Sequence, residues 1–264
     1  MKYSRPVVGL HDFLNSKPIL HPIRHGLMEV PFSLVIDTPA ALADRFAAGD
    51  LDMALIPSIE YARISDAVIV PSVCIASMGK VETVLLFSDM AVEDIESVAV
   101  DPKSRTSVAM LQVIFKERFS KDVTIIKGLE DDPEMLLKDA DAGLVIGDAA
   151  YRVDHKKHVA VDLGELWFQF SGRPFVHAVL CCRRGEKWDA AAAALQEARE
   201  LGMEHRELVA RQEAKNPQEV QRMIDYLNGR IFYNLGEKEL DGLRFFLEEA
   251  KIMGLCERDE LEFA

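Results

Sequence analysis

Two hydrophobic rhythms divide this chain. Over the first 180 residues, short unbroken apolar runs alternate with stretches in which apolar side chains recur every three or four positions. The runs at 6–10, 50–57, 68–71, 83–87, 98–100 and 141–148 are too short for helices and apolar on both faces. That is the pattern of strands buried inside an α/β sheet. Helical stretches lie between them. Thr38-Pro39 pairs a cap residue with proline at the first helical position, Leu42 and Phe46 share the next face, and Gly49 supplies the stop. Ser104-Arg105-Thr106-Ser107 opens a second helix with Val108, Leu111, Ile114 and Phe115 on its apolar face, and 133–138 reads as a short third. The string at 52–56 echoes the one at 141–145: an acidic residue, small or flexible residues, then branched apolar ones. The echo points to two lobes of similar construction, although such strings are common in α/β sequences. After residue 185 the rhythm turns helical, with helices expected over 186–214, 217–228 and 237–253 and breaks at Asn216-Pro217, Gly229 and Gly236.

Composition narrows the function. The 264 residues suffice for one large domain or two small lobes, and 49% hydrophobic with 28% charged residues is the balance of a soluble globular protein. No apolar stretch approaches the roughly 20 residues of a membrane span. The first residues lack a signal peptide's long apolar core, so a cytoplasmic protein is expected. A net charge of −13 argues against a nucleic-acid partner. It also means that an anionic ligand must be captured by local groups against the overall field. The four cysteines, Cys74, Cys181, Cys182 and Cys256, show no metal-ligand spacing, and the seven histidines are scattered. No dinucleotide, P-loop or nucleophile-elbow motif is present. His11 and Asp12 are neighbours whose side chains would leave a strand on opposite faces, so they do not read as a dyad.

Candidate chemistry lies in small-polar strings at strand exits, where open α/β sheets collect ligands. Asn15 and Ser16 offer an amide and a hydroxyl beside a helix start; a capping loop would use the same residues. Ser58 caps a helix and can face a cleft. Ser77 and Gly79 end another strand, as a plain turn also would. Arg105, Thr106 and Ser107 stand at a helix start suited to an anion, unless Arg105 instead pairs with Asp101. Asp148, after Gly147, is a candidate base, a cap or an ion-pair partner. Phe175 can cover a ring or fill a core.

Seven strings in order resemble the chorismate dehydratase family of menaquinone biosynthesis by the futalosine route. They are FLNSKP at 13–18, IPSIEY at 56–61, CIASMGKV at 74–81, DPKSRTS at 101–107, IGDAAY at 146–151, DLGELW at 162–167 and SGRPFV at 171–176. The resemblance implies a two-lobed periplasmic-binding-protein-like fold of type II, an α/β architecture in which two crossing strands join the lobes and the ligand lies between them. The expected division is 1–87 plus 183–264 for lobe 1 and 88–182 for lobe 2. Residues 84–87 and 176–180 would cross, and the C-terminal helices would pack on lobe 1. The chain departs from the family pattern at Phe13, where tyrosine is usual, and at His11-Asp12. Thr83 and Ser171 exchange one hydroxyl residue for another.

The implied reaction removes water from chorismate to give 3-[(1-carboxyvinyl)oxy]benzoate, with no metal or organic cofactor. Asn15 and Ser77 would orient the ring and leaving hydroxyl. Ser16, Thr106 and Ser107 would hold carboxylates, with Ser58, Gly79, Arg105, Asp148 and Phe175 as further substrate contacts. The strings are rich in hydroxyls and amides and poor in bases, so the substrate's own enolpyruvyl carboxylate is the expected proton acceptor, with Asp148 and Glu60 the side chains that would otherwise serve. Two readings remain beside this one: the sister dihydroxynaphthoate synthase activity, and a non-catalytic cytosolic binding protein for an aromatic carboxylate. No nucleic-acid or membrane partner is expected, and the oligomeric state is open.

Overall fold

The computed structural model describes residues 5–129, 132–138, 140–185 and 188–264. In chain order its elements are β1 (Val7–Leu10), α1 (Lys17–Arg24), β2 (Ser33–Ile36), α2 (Pro39–Ala48), β3 (Met53–Pro57), α3 (Ser58–Arg63), β4 (Ala67–Ser77), β5 (Val84–Ser88), β6 (Ser97–Val100), α4 (Thr106–Phe119), β7 (Thr124–Lys127), α5 (Pro133–Leu136), β8 (Ala142–Ile146), β9 (Val159–Asp162), α6 (Leu163–Ser171), β10 (Phe175–Arg183), α7 (Asp189–Glu204), α8 (Arg206–Glu213), α9 (Pro217–Gly229), β11 (Ile231–Phe232) and α10 (Glu237–Ile252). Local chemistry accounts for the better-marked boundaries. The Thr38 hydroxyl accepts from the Ala41 amide, and Gly49 closes α2 in the left-handed conformation.

Two sheets form, with strand orders β11-β4-β10-β3-β1-β2 and β7-β6-β8-β5-β9. Strands β1, β2 and β3 are parallel, as are β6, β7 and β8. Each sheet also holds one antiparallel strand that follows a passage from the other sheet: β5 pairs with β8 and β9, and β10 pairs with β3 and β4. Here the expected boundaries shift. The strands at 84–87 and 176–180 do not cross; each lies wholly inside one sheet. The division expected at 87/88 and 182/183 moves to the links 78–83 and 172–174. An apolar run is equally at home in either sheet, and only its pairing partner decides its lobe. Strands β2 and β7 escaped the sequence reading because they are edge strands, half exposed and lacking a long apolar run.

The tail also differs from three plain helices. The stretch expected from residue 186 begins outside the described residues and breaks at His205 into α7 and α8. Strand β11 then pairs with the end of β4. Nearer the start of β4, the Ile69 amide donates to Glu262 and its carbonyl accepts from Ala264, which covers that part of the edge. Helix α10 packs on α3 and β10 of the first lobe and also on α4 of the second. An aromatic cluster binds this junction: the Trp167 ring lies 5.0 Å from Phe175 and 5.8 Å from both Phe245 and Phe246. The tail therefore contacts both lobes.

Two glycines let the tail approach this closely. A Cβ on Gly202 of α7 would lie 2.0 Å from the Pro18 carbonyl oxygen, and one on Gly242 of α10 would lie 2.1 Å from that of Pro174. Backbone cannot yield as a flexible side chain can. We expect Gly242→Ala to lower stability by about 1–3 kcal/mol, read as an earlier urea midpoint. An unchanged midpoint would show that α10 does not press on the 172–174 link.

Candidate active site

The two sheets meet around a cleft lined from both. Strand exits supply its walls, because backbone and side chains leaving a sheet edge are free to turn toward a ligand. From the first sheet come His11, Phe13 and Asn15 after β1, and Pro57 at the end of β3. Lys103 and Arg105 follow β6, Thr106 and Ser107 open α4, Ile146 ends β8 and Gly147 follows it. Thr83 lies on the 78–83 link and His177 on β10.

His11 is 3% exposed, and its Nδ1 has no hydrogen-bond partner within the protein. Burial drives its pKa down to about 4, despite an opposing pull from Asp12. The Asp12 carboxylate itself pairs with Lys17 at 3.1 Å and Arg24 at 2.9 Å. Asn15 Oδ1 is likewise buried without a protein partner. His177 falls where β10 gains one residue on β4, between the pairs Val176–Ala76 and Ala178–Ile75. Such a bulge re-aims a side chain, here toward the cleft. Its Nε2 lies 2.8 Å from the Ser77 hydroxyl, and burial brings its pKa to about 4. Both rings are therefore neutral at pH 7.

The opposite wall is built to receive negative charge. No side chain caps the first turn of α4, so its leading amides carry the helix's partial positive charge uncovered. The Thr106 hydroxyl accepts from the Ile59 amide at 3.3 Å, joining α4 to α3 across the lobes. Arg105 does the same through Asp44, at 2.7 Å, and Glu60, at 3.2 Å. Its expected alternative partner was Asp101; the acids it meets belong to the other lobe. Glu60 also holds Arg63 at 2.8 Å. Among the described lining residues there is no aspartate or glutamate.

Of the residues singled out from sequence, the cleft gathers Asn15, Arg105, Thr106 and Ser107. Ser77 stands behind His177. The others lie elsewhere. The Ser16 hydroxyl bonds the His11 carbonyl, and that of Ser58 bonds the Val176 carbonyl at 2.5 Å, so both brace the backbone. Gly79 turns the link with φ +75°, and its carbonyl packs on Gly164. Phe175 belongs to the aromatic cluster. Asp148 lines a neighbouring cavity, where burial raises its carboxyl pKa. Sequence reasoning did not put His11, His177, Thr83 or Lys103 forward as site residues. One sign was available: His177 is the single polar residue in the run 175–182. Thr83 bonds Tyr226 of α9 at 3.0 Å, a contact between residues 143 positions apart.

The family described as menaquinone biosynthesis matches residues 6–251. A chorismate dehydratase from Thermus thermophilus is 30% identical over 266 residues, which cover 92% of this chain and 94% of that protein. The chain belongs to the chorismate dehydratase family. Among solved structures, a protein from Archaeoglobus fulgidus matches with a TM-score of 0.75 at 16% identity, covering 97% of this chain and 100% of that one. A Candida albicans gene product with the generic periplasmic binding protein fold matches at 0.69 and 10% identity, covering 97% and 92%. The alkanesulfonate-binding protein SsuA from Xanthomonas axonopodis pv. citri, bound to MOPS, matches at 0.65 and 14% identity, covering 97% and 95%. These likenesses establish the fold of this member of the chorismate dehydratase family as periplasmic-binding-protein-like. Among the described residues, no helix is long and apolar enough to cross a membrane, and no group of three or more histidine, cysteine or acidic side chains is placed to hold a metal.

The two neutral histidines have a measurable consequence. In the fold each takes a proton only near pH 4, whereas an unfolded histidine does so near pH 6.5. As pH falls below 6.5 the unfolded chain binds protons first, so stability is full above that pH and declines toward 4. Each histidine should remove roughly 2 kcal/mol by pH 4.5. Urea unfolding of His177→Gln should show a shallower acid decline than the parent; parallel declines would place the ring in solvent.

Proposed function

We propose that this protein is a hydro-lyase that dehydrates chorismate to 3-[(1-carboxyvinyl)oxy]benzoate. The observation that carries the reading is a cleft with an uncapped helix start on one wall, two neutral histidines and an amide on the other, and no acidic side chain among its described lining residues. Such a cleft suits a ligand that brings its own carboxylates.

The reaction balances without an added reagent. The ring carbon bearing the ether loses its proton to the substrate's enolpyruvyl carboxylate. The electron pair left behind enters the ring as the neighbouring carbon–oxygen bond breaks. The departing hydroxide takes the proton back from the carboxylic acid and leaves as water, and the ring becomes aromatic. The amides of α4, with Thr106, Ser107 and Lys103, receive the carboxylates. Asn15 and His11 hydrogen-bond the leaving hydroxyl, where charge develops. Ser77 fixes His177 by its hydrogen bond, and the ring of His177 bounds the substrate. Arg105 acts at one remove, by holding the start of α4 against α2 and α3.

The direct test is to mix protein with chorismate and follow product by mass. Loss of one water with a new benzoate absorption supports the reading. Asn15→Ala should then lower kcat by about a hundredfold while leaving substrate affinity nearly unchanged. Intact chorismate that raises the melting temperature would instead mark a binding protein.

A further inference from the structure

Beside the cleft lies a second cavity that shares Phe13, Lys103 and Ile146 with it. The tail encloses its far side through the end of α8 and the start of α9. Most of its acids are engaged. Glu213 pairs with Lys17 at 2.9 Å, and Glu219 accepts from the Lys215 amide at 2.8 Å and the Asn216 side chain at 3.0 Å. Arg222 differs. Its guanidinium lies 3.8 Å above the centre of the Tyr151 ring, its Nε is buried without a hydrogen-bond partner, and so is the Tyr151 hydroxyl. Among the described residues no carboxylate pairs with Arg222. A guanidinium held over an aromatic ring by cation–π attraction still has N–H donors for a planar carboxylate.

We propose that this cavity is the vestibule through which a ring carboxylate reaches the cleft, with Arg222 as its first anchor and Phe13 as the partition between the two chambers. The proposal deepens the reading of the cleft as a dicarboxylate site and rests on it. A chain of net charge −13 repels a dianion at long range, so a cation at the mouth decides whether approach succeeds. Phe13 belongs to the first lobe and lies against Gly147 of the second. There φ is +58°, and a Cβ would stand 3.3 Å from the ring. Rotation of that one side chain joins the chambers.

Two measurements test this. Crystals of the full chain are soaked with 3-bromobenzoate and the bromine is located by anomalous scattering. In parallel, kcat/KM for chorismate is followed against salt. The vestibule predicts bromine beside Arg222 in the parent and none there in Arg222→Gln. It also predicts kcat/KM about tenfold lower in that variant at low salt, kcat within twofold of the parent, and a difference that shrinks as salt rises. Arg222→Lys should recover part of the loss, which separates lost charge from misfolding. Bromine confined to the cleft in both proteins, or equal kcat/KM at low salt, overturns the proposal. If chorismate is not turned over at all, the function reading fails, and the bromine position still decides the vestibule.

Discussion

Strand β10 enters the first sheet from the second lobe, and so it runs against β3 and β4. Its opening residues therefore lie beside the closing residues of β3, with Ala178 paired to Pro57. Much else follows from that reversal. It brings His177 to the cleft, and the bulge in its pairing with β4 turns that ring out of the sheet. It also sets Phe175 against Trp167 and Phe246, so the strand that completes the first sheet anchors the helix closing the second lobe's chain path. Strand β5 makes the reciprocal move in the second sheet. The site is thus a product of topology first and of side-chain chemistry second.

The electrostatic arrangement fits the same frame. The protein is strongly acidic, yet its cleft presents neutral imidazoles, an amide, the hydroxyls of Thr83, Thr106 and Ser107, the cations Lys103 and Arg105, and the amides of one helix start. Acidic residues that come near are held elsewhere: Asp12 by Lys17 and Arg24, Glu60 by Arg63 and Arg105. A substrate carboxylate placed there would meet no acidic side chain among the described lining residues. Desolvated and positioned by fixed dipoles, it has no side-chain competitor among the acidic residues that sequence reasoning had put forward.

The layout of the fold was legible because buried strands and capped helices leave strong local marks: Thr38-Pro39 and Gly49 on α2, the apolar runs of β1, β3 and β8. Edge strands β2, β7 and β11 were not legible, being short and half exposed. Nor was lobe membership, which depends on pairing partners far away in sequence. The site divides along the same line. Asn15, Thr106 and Ser107 stood in polar strings at strand exits, where a ligand is expected. Ser16 and Ser58 stood in equally plausible strings but bond backbone carbonyls, of nearby His11 and of distant Val176. His11 and His177 did not read as functional groups, the first because Asp12 beside it made no dyad and the second because it has no partner nearby; packing makes them neutral and turns them to the cleft. The bond from Thr83 to Tyr226 joins the 78–83 link to the tail, which no local pattern announces.

The central claim is that the substrate supplies the base. An analogue of chorismate whose enolpyruvyl carboxylate is a primary amide tests it most directly, with binding followed by competition and water loss by mass. The account predicts that the amide enters the cleft, competes with chorismate and keeps its water. Dehydration of the amide at a rate near that of chorismate would contradict the account and return the proton to a side chain, with His11 and His177 the first to question.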